Sequence, residues 1–272
     1  MRILSVVLLL FFPLASLFAR EEGLPIADGE QMHYTVLYKC GFSADLADIS
    51  FYTIQEGNLL HSTIRLQSRK RWDHFFQFRD LYEARYKANA EIDPHWFHRD
   101  VKERNYTVKA WYDWADDGSI RMSREKQGRA REDTVVRDER KIRDIVNSIY
   151  YLRLLDYEKL LDGETVSIYS SFDFDLYLFT IKKAVREKKT IEGKVYHTIR
   201  LSVEMEQLIM DSGGVLSERR IRSEKDGKSR FTVWISDDQN KLPLYFQISL
   251  KLGSIHGRLS MKEGIKYPLN VE

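Results

Sequence analysis

Cysteine is almost absent from this 272-residue chain, which has one, Cys40. A single thiol cannot close an internal disulfide, and it excludes the multi-cysteine zinc and iron–sulfur sites. Cys40 also lies too far from the N-terminus to carry a lipoprotein's lipid anchor. No charge of one sign dominates: 43 Lys and Arg stand against 41 Asp and Glu, a balance that argues against nucleic acid as a partner. Internal repeats, low-complexity stretches and Pro/Gly/Ser linkers are missing, so nothing divides the chain into two domains. The phosphate-cradling Gly-x-x-x-x-Gly-Lys, the dinucleotide fingerprint and His-Glu-x-x-His are missing as well, and no cofactor is expected. Gly253-Ser254-Ile255-His256-Gly257 has isoleucine where a nucleophile elbow needs serine, and reads as a hairpin edge.

One long apolar run is present, at the start. Met1-Arg2 leads into Ile3 to Ala19, broken by Pro13, before the chain turns polar at Arg20-Glu21-Glu22. A positive start, a short apolar stretch and a small residue before charge make an export signal, with cleavage expected after Ala19. The run is too short and interrupted to span a bilayer, and no second one follows. Residues 20–272 are expected to form a single domain with no membrane span.

The rest of the chain alternates apolar and polar residues with a period of two, the mark of strands with one buried face. Leu244, Phe246, Ile248, Leu250 and Leu252 predict one core face, and Ile255, Leu259 and Met261 its returning partner. Tyr34/Val36/Tyr38, Ile199/Leu201/Val203/Met205 and Phe231/Val233/Ile235 repeat the pattern. Between such runs sit Glu56-Gly57-Asn58, Asp116-Asp117-Gly118 and Glu192-Gly193-Lys194, turn sequences in which glycine supplies positive φ without steric cost. The predicted fold is mainly β, a strongly curved antiparallel sheet or incomplete barrel. The basic runs Arg69-Lys70-Arg71 and Arg219-Arg220-Ile221-Arg222 read as solvated strand faces. Ile142, Ile145, Val146 and Ile149 are spaced by three and four, predicting one amphipathic helix over about 138–155 that covers an open side of the sheet. Phe172 to Phe179 carries bulky groups on both faces, as a strand covered twice would.

Few residues suggest chemistry. Asp173 and Asp175 share a face if that segment is a strand, about 6.6 Å apart along it, near the separation inverting glycosidases use; they are the only catalytic candidates. His95 and His98 would share a face only in a helical turn, with no third metal ligand nearby. Trp234 to Pro243 reads as a hairpin with an Asp/Asn-rich turn that bonds its own backbone.

Taken in order, four segments resemble the bacterial exported family called domain of unknown function 3108. They are Gly29-Glu30-x-Met32-x-Tyr34-x-Val36-x-Tyr38, the stretch Asp144-Ile145-Val146-Asn147-Ser148-Ile149-Tyr150-Tyr151-Leu152-Arg153, the hairpin from Trp234-Ile235-Ser236-Asp237-Asp238 to Pro243, and Gly253-Ser254-Ile255. The resemblance spans nearly all of the chain after residue 19, though the basic stretch from Arg124 to Arg140 departs from it. It implies one domain in a Gram-negative-type cell, periplasmic or secreted, and supplies no activity. It marks Tyr34, Tyr38, Asp144, Tyr150, Arg153, Trp234, Asp237, Asp238, Pro243 and Gly253 as structural positions. The reading preferred is an exported, non-catalytic envelope protein that binds an apolar or lipid-like ligand on the concave side of the sheet, lined by Trp72, Phe75, Phe76, Phe78, Trp111, Trp114, Phe172 and Phe174; the alternatives are an envelope interaction or assembly protein with a docking surface, and a hydrolase of envelope polysaccharide.

Overall fold

The computed structural model describes residues 23–172, 174–210, 216–217 and 229–272. The expected export segment 1–19, Asp173 and the run Arg219 to Arg222 lie outside the described residues. Apolar alternation produces strands throughout, and they join into one sheet of 16 strands. An outgoing arm comprises β1 (Glu30–Lys39), β2 (Ser43–Glu56), β3 (Leu59–Ser68), β4 (Arg79–Lys87), β5 (Pro94–Glu103), β6 (Tyr106–Trp114), β7 (Ile120–Lys126) and β8 (Glu132–Val136). A returning arm comprises β9 (Ile142–Asp144), β10 (Val166–Phe172), β11 (Asp175–Ile191), β12 (Lys194–Met210), β13 (Leu216–Ser217), β14 (Ser229–Ser236), β15 (Pro243–Ser249) and β16 (Ser254–Glu263). The arms meet in the middle, where β1 pairs with β16. Among the described residues every pairing is antiparallel except that of β9 with β10.

The sheet rolls without closing, since β8 and β9 at its two ends are not paired. Its returning end lies against the concave side of the outgoing arm instead. Trp114 Nε1 donates to Ile142 O at 2.9 Å, Phe172 stacks on Tyr82 with ring centroids 6.3 Å apart, and the Phe174 N–H donates to the Tyr112 hydroxyl at 2.8 Å. Met32, Tyr34, Tyr86, Phe97, Tyr112 and Met122 form the core on that side. Each large side chain fully buried there contributes ~1.5–3 kcal/mol. A second cluster, Ile181, Ile199, Leu201, Val203, Val233 and Ile235, fills the returning arm.

The helix is shorter than its periodicity predicts. Ile142 to Asp144 are strand, held in parallel register with Tyr169 to Ser171, and Asp144 ends that strand by capping a new element, its carboxylate accepting the Asn147 N–H at 2.8 Å. Helix α1 (Ile145–Tyr151) follows, tightens into a 3-10 turn over Leu152–Leu154, and is succeeded by α2 (Tyr157–Leu161). Ile142 satisfied the helical spacing because both elements bury it against the same core. Nor does Phe172 to Phe179 form one strand: Phe172 and Asp175 face each other across a tight corner in which Phe174 takes φ 70°.

The C-terminal hairpin departs from strict alternation twice. Leu244 is buried and Phe246 and Ile248 are half-buried on the core side, but β15 stops at Ser249, leaving Leu250 and Leu252 exposed in the turn. In β16 the register against β1 jumps from Leu259 opposite Tyr34 to Met261 opposite His33. The extra residue, Ser260, is a β-bulge that sends Met261 to the solvent face. Within this hairpin Phe246 lies over the bare backbone of Gly257, where a Cβ would come within 1.9 Å of its ring. Gly257→Ala is therefore expected to overpack the core and lower stability by ~1–3 kcal/mol, read as a reduced urea midpoint at unchanged slope.

Candidate functional site

The concave side, where a cargo would lie, is occupied by α1. Tyr150 points from the helix into the sheet and starts a chain of hydroxyls: 2.5 Å to Thr53 Oγ1, then 2.7 Å to Ser62 Oγ, then 2.6 Å to the Tyr86 hydroxyl. Burial pushes the Tyr150 phenol up to about 12 and raises those of Tyr34 and Tyr86 as well, so the chain stays neutral. One helical turn on, Arg153 makes an ion pair with Glu30 of β1. Its Nη1 is 2.5 Å from Oε1 and its Nη2 is 3.0 Å from Oε2, and the two side chains are 1% and 0% exposed. The remaining Arg153 donors reach Asn240 O at 2.9 Å and Pro25 O. A guanidinium's planar fork satisfies all of these partners at once, so helix, central strand, hairpin turn and N-terminal segment are fixed at one point.

The other family-pattern residues also hold backbone in place. The Tyr34 hydroxyl donates to Pro243 O at 2.6 Å and that of Tyr38 to Leu252 O at 2.9 Å. Asp238 accepts from Ser236 Oγ and the Asn240 N–H, both at 2.9 Å, and Asp237 pairs with Arg186 and Lys241. Gly253 sits at φ +75°, where a Cβ would lie 2.3 Å from Lys39 O. Trp234 Nε1 donates to Glu187 Oε1 at 2.6 Å on the convex face, under the Lys189 ammonium 3.9 Å from its ring centroid.

Asp175 opens β11 and is exposed; its partnership with Asp173 lies outside the described residues. His95 and His98 both belong to β5, but the register against β4 jumps from Trp96 to Pro94 and leaves His95 in a β-bulge, while His98 Nδ1 lies 3.3 Å from Glu83. Among the described residues no group of three His, Cys, Asp or Glu side chains could hold a metal ion.

Sequence reasoning missed a chain on the convex face, in which Ser254 Oγ lies 2.6 Å from His256 Nε2 and His256 Nδ1 lies 2.6 Å from the Tyr245 hydroxyl. Burial, then Lys39 and Lys189, hold the imidazole below its ordinary value, so it is neutral and offers one donor and one acceptor nitrogen. A nucleophile's base needs its far nitrogen fixed as a donor by an obligate acceptor, the role a carboxylate plays in a Ser-His-Asp triad. Tyrosine can donate or accept, so it imposes no such tautomer. Ser254 and His256 lie two apart on one strand face, a signal present in the sequence; Tyr245 arrives only through strand pairing.

Of the aromatic residues expected to line the concave side, Phe172, Phe174 and Trp114 pack there. Trp111 lies on the convex face against His98. Trp72, Phe75, Phe76 and Phe78 belong to the β3–β4 connection, at one end of the roll, where Phe76 stacks on both Trp72 and Phe78 and Phe75 is tilted against Trp72. Arg69 to Arg71 open the same connection and are not a strand face: Lys70 to Trp72 form a 3-10 turn, and Arg69 reaches back to Asp45 and Asp48 at 2.8 Å each. The β1–β2 and β15–β16 turns lie beside it. Phe42 is 62% exposed, Phe75 73% and Leu252 70%.

Among solved structures, the chain is similar to the crystal structure of a beta-barrel-like protein of domain of unknown function DUF1849 from Brucella abortus. The two share 8% identity with a TM-score of 0.54, covering 89% of this chain and 100% of that one; at this identity the likeness shows the fold alone. A "putative lipoprotein" from Parabacteroides distasonis matches at 7% identity and a TM-score of 0.37, covering 88% and 97% of the two chains. No curated protein matches the chain. The family model described as protein of unknown function (DUF3108) matches residues 31–260, from the strand that carries Tyr34 and Tyr38 to the one that follows Gly253, and the chain belongs to that family.

Proposed function

We propose that this protein is an exported, non-catalytic component of a bacterial cell envelope that works through its outer surface, as an interaction or assembly protein. One observation carries the choice over an internal carrier: α1 fills the concave side and is fixed there by the Arg153–Glu30 pair and the Tyr150 hydroxyl chain. A cargo would have to displace a buried ion pair, whose unpaired partner would then remain in a dry interior. Two clefts at the surface of the described residues are lined by polar and charged side chains, Asp117, Arg137, Asp138 and Arg140 in one and Asn105, Lys126 and Arg129 in the other, unlike the apolar sites that hold greasy ligands. The N-terminal export signal supports a periplasmic or secreted location, and no helix among the described residues is long and apolar enough to cross a membrane. Mass spectrometry of an organic extract of protein purified from its native envelope is expected to show no apolar molecule in molar proportion. A lipid recovered at one per protein would replace the surface reading with the carrier reading.

A further inference from the structure

Strands of alternating direction place the connections after β1, β3, β5, β7 and β15 at one end of the roll. That end is unlike the rest of the surface. Phe42, Phe75, Leu250 and Leu252 project from it with 62%, 73%, 44% and 70% exposure, from three separate turns locked together. Tyr38 bonds Leu252 O and packs edge-on against Phe42 at 6.2 Å, while Trp72 Nε1 bonds Asp45 O at 2.7 Å, where β2 leaves the turn. Around these tips stand Lys39, Lys70, Arg71, Arg104, Arg129 and Lys251, all exposed. Of the acids at this end, Asp45, Asp48 and Asp73 are paired with Arg69 or Arg79, Glu125 and Asp133 with Arg131, and Glu103 and Asp175 are exposed. The opposite end carries exposed Asp28, Glu56, Asp116, Asp117, Glu139 and Glu192 in its turns, interspersed with exposed Lys87, Arg137, Lys141 and Lys194. The greasy tips thus stand among exposed cations, while the acids beside them at the β2 start and in the β3–β4 connection are neutralised by arginine.

We infer that this end docks on the surface of an anionic phospholipid bilayer, a deepening that rests on the surface-acting reading above. Charge complementarity selects the occupant: aromatic and leucine tips flanked by lysine and arginine are what interfacial segments present to headgroups. The core of a protein–protein patch is instead depleted of charge. The apolar tips stand out on turns, as their exposure shows.

The test is co-sedimentation of the full mature protein with sucrose-loaded vesicles of phosphatidylcholine alone or with three-tenths phosphatidylglycerol, the lipid carrying a radiolabel. Binding is expected to the phosphatidylglycerol vesicles, at least tenfold weaker on phosphatidylcholine or in 0.5 M salt. It is also expected to fall at least tenfold in the double variant Phe75→Asp/Leu252→Asp, and to be unchanged in Asp116→Asn at the opposite end. Both variants alter exposed turn residues, and their near-ultraviolet circular dichroism should match the parent. Equal binding by the double variant, or protein left in the supernatant without label, overturns the docking while the surface reading stands. Pelleting without vesicles, the mark of a second copy covering the tips, overturns it too. Labelled lipid leaving the vesicles with the protein overturns both, because it makes the protein a carrier.

Discussion

Arg153→Met is expected to be the most damaging single change among the residues described, lowering stability by ~3–5 kcal/mol. The guanidinium is 1% exposed and its partner carboxylate 0%, so its removal strands the Glu30 charge in a water-free interior. The carbonyls of Asn240 and Pro25 lose their donor in the same step. For a chain of this size each kcal/mol shifts the melting midpoint by about 2–4 °C, so a drop on the order of 10 °C should appear in calorimetry. The double variant Glu30→Met/Arg153→Met removes both charges together and is expected to recover much of that loss, since buried ion pairs seldom outperform apolar groups of similar volume. A double variant as unstable as the single one would show that the arginine acts through its carbonyl contacts and not through the ion pair.

Asp144→Asn is expected to have the opposite sign, and to have it only above acidic pH. The side chain of Asp144 is fully buried at the junction of β9 and α1; Oδ1 caps the helix, Oδ2 has no hydrogen-bond partner, and burial pushes the acid up to about 7. In the unfolded chain an aspartate releases its proton near pH 4. Between these values the folded protein holds a proton that the unfolded chain has lost, so Asp144 makes stability fall as pH rises from about 4 to 7 and leaves it lowered beyond. Asparagine caps a helix about as well and never ionises. The variant should therefore match the parent at pH 4 and exceed it at pH 8 by ~2–4 kcal/mol, read from urea unfolding at both values. Comparing the variant with its parent cancels the contribution of Asp80, whose acid burial also pushes up to about 6. Parallel pH profiles for the two proteins would show that Asp144 is already ionised in the fold.

The strands were legible wherever side chains alternate against a single core, as in β15 and β16, because a period of two is imposed by the backbone itself. The errors arose where alternation is interrupted by something the sequence does not mark. Ser260 bulges and turns Met261 outward; Leu250 and Leu252 continue the apolar rhythm of β15 after its pairing has ended. The helix was found but begun too early, since Ile142 suits both a buried strand and an apolar helical stripe. The aromatic residues Trp72, Phe75, Phe76 and Phe78 have no period, and composition alone cannot say whether such groups line a wall or cap a tip. Partnerships over long separations were out of reach: 123 positions divide Glu30 from Arg153, and nothing local in either stretch names the other.

The pairing of β1 with β16 has a consequence for how the protein comes into being. Its middle seam joins residues 31–39 to residues 254–263, so the central ladder cannot zip until the last strand has been delivered, however early the hairpins on either wing have formed. A polypeptide made amino end first must hold the inner edge of its leading wing open for almost the whole of its synthesis, and non-local closure of this kind is slow. Trimming from the carboxyl end would accordingly split the assembly down its centre, where the loss of an outer strand would only shorten it.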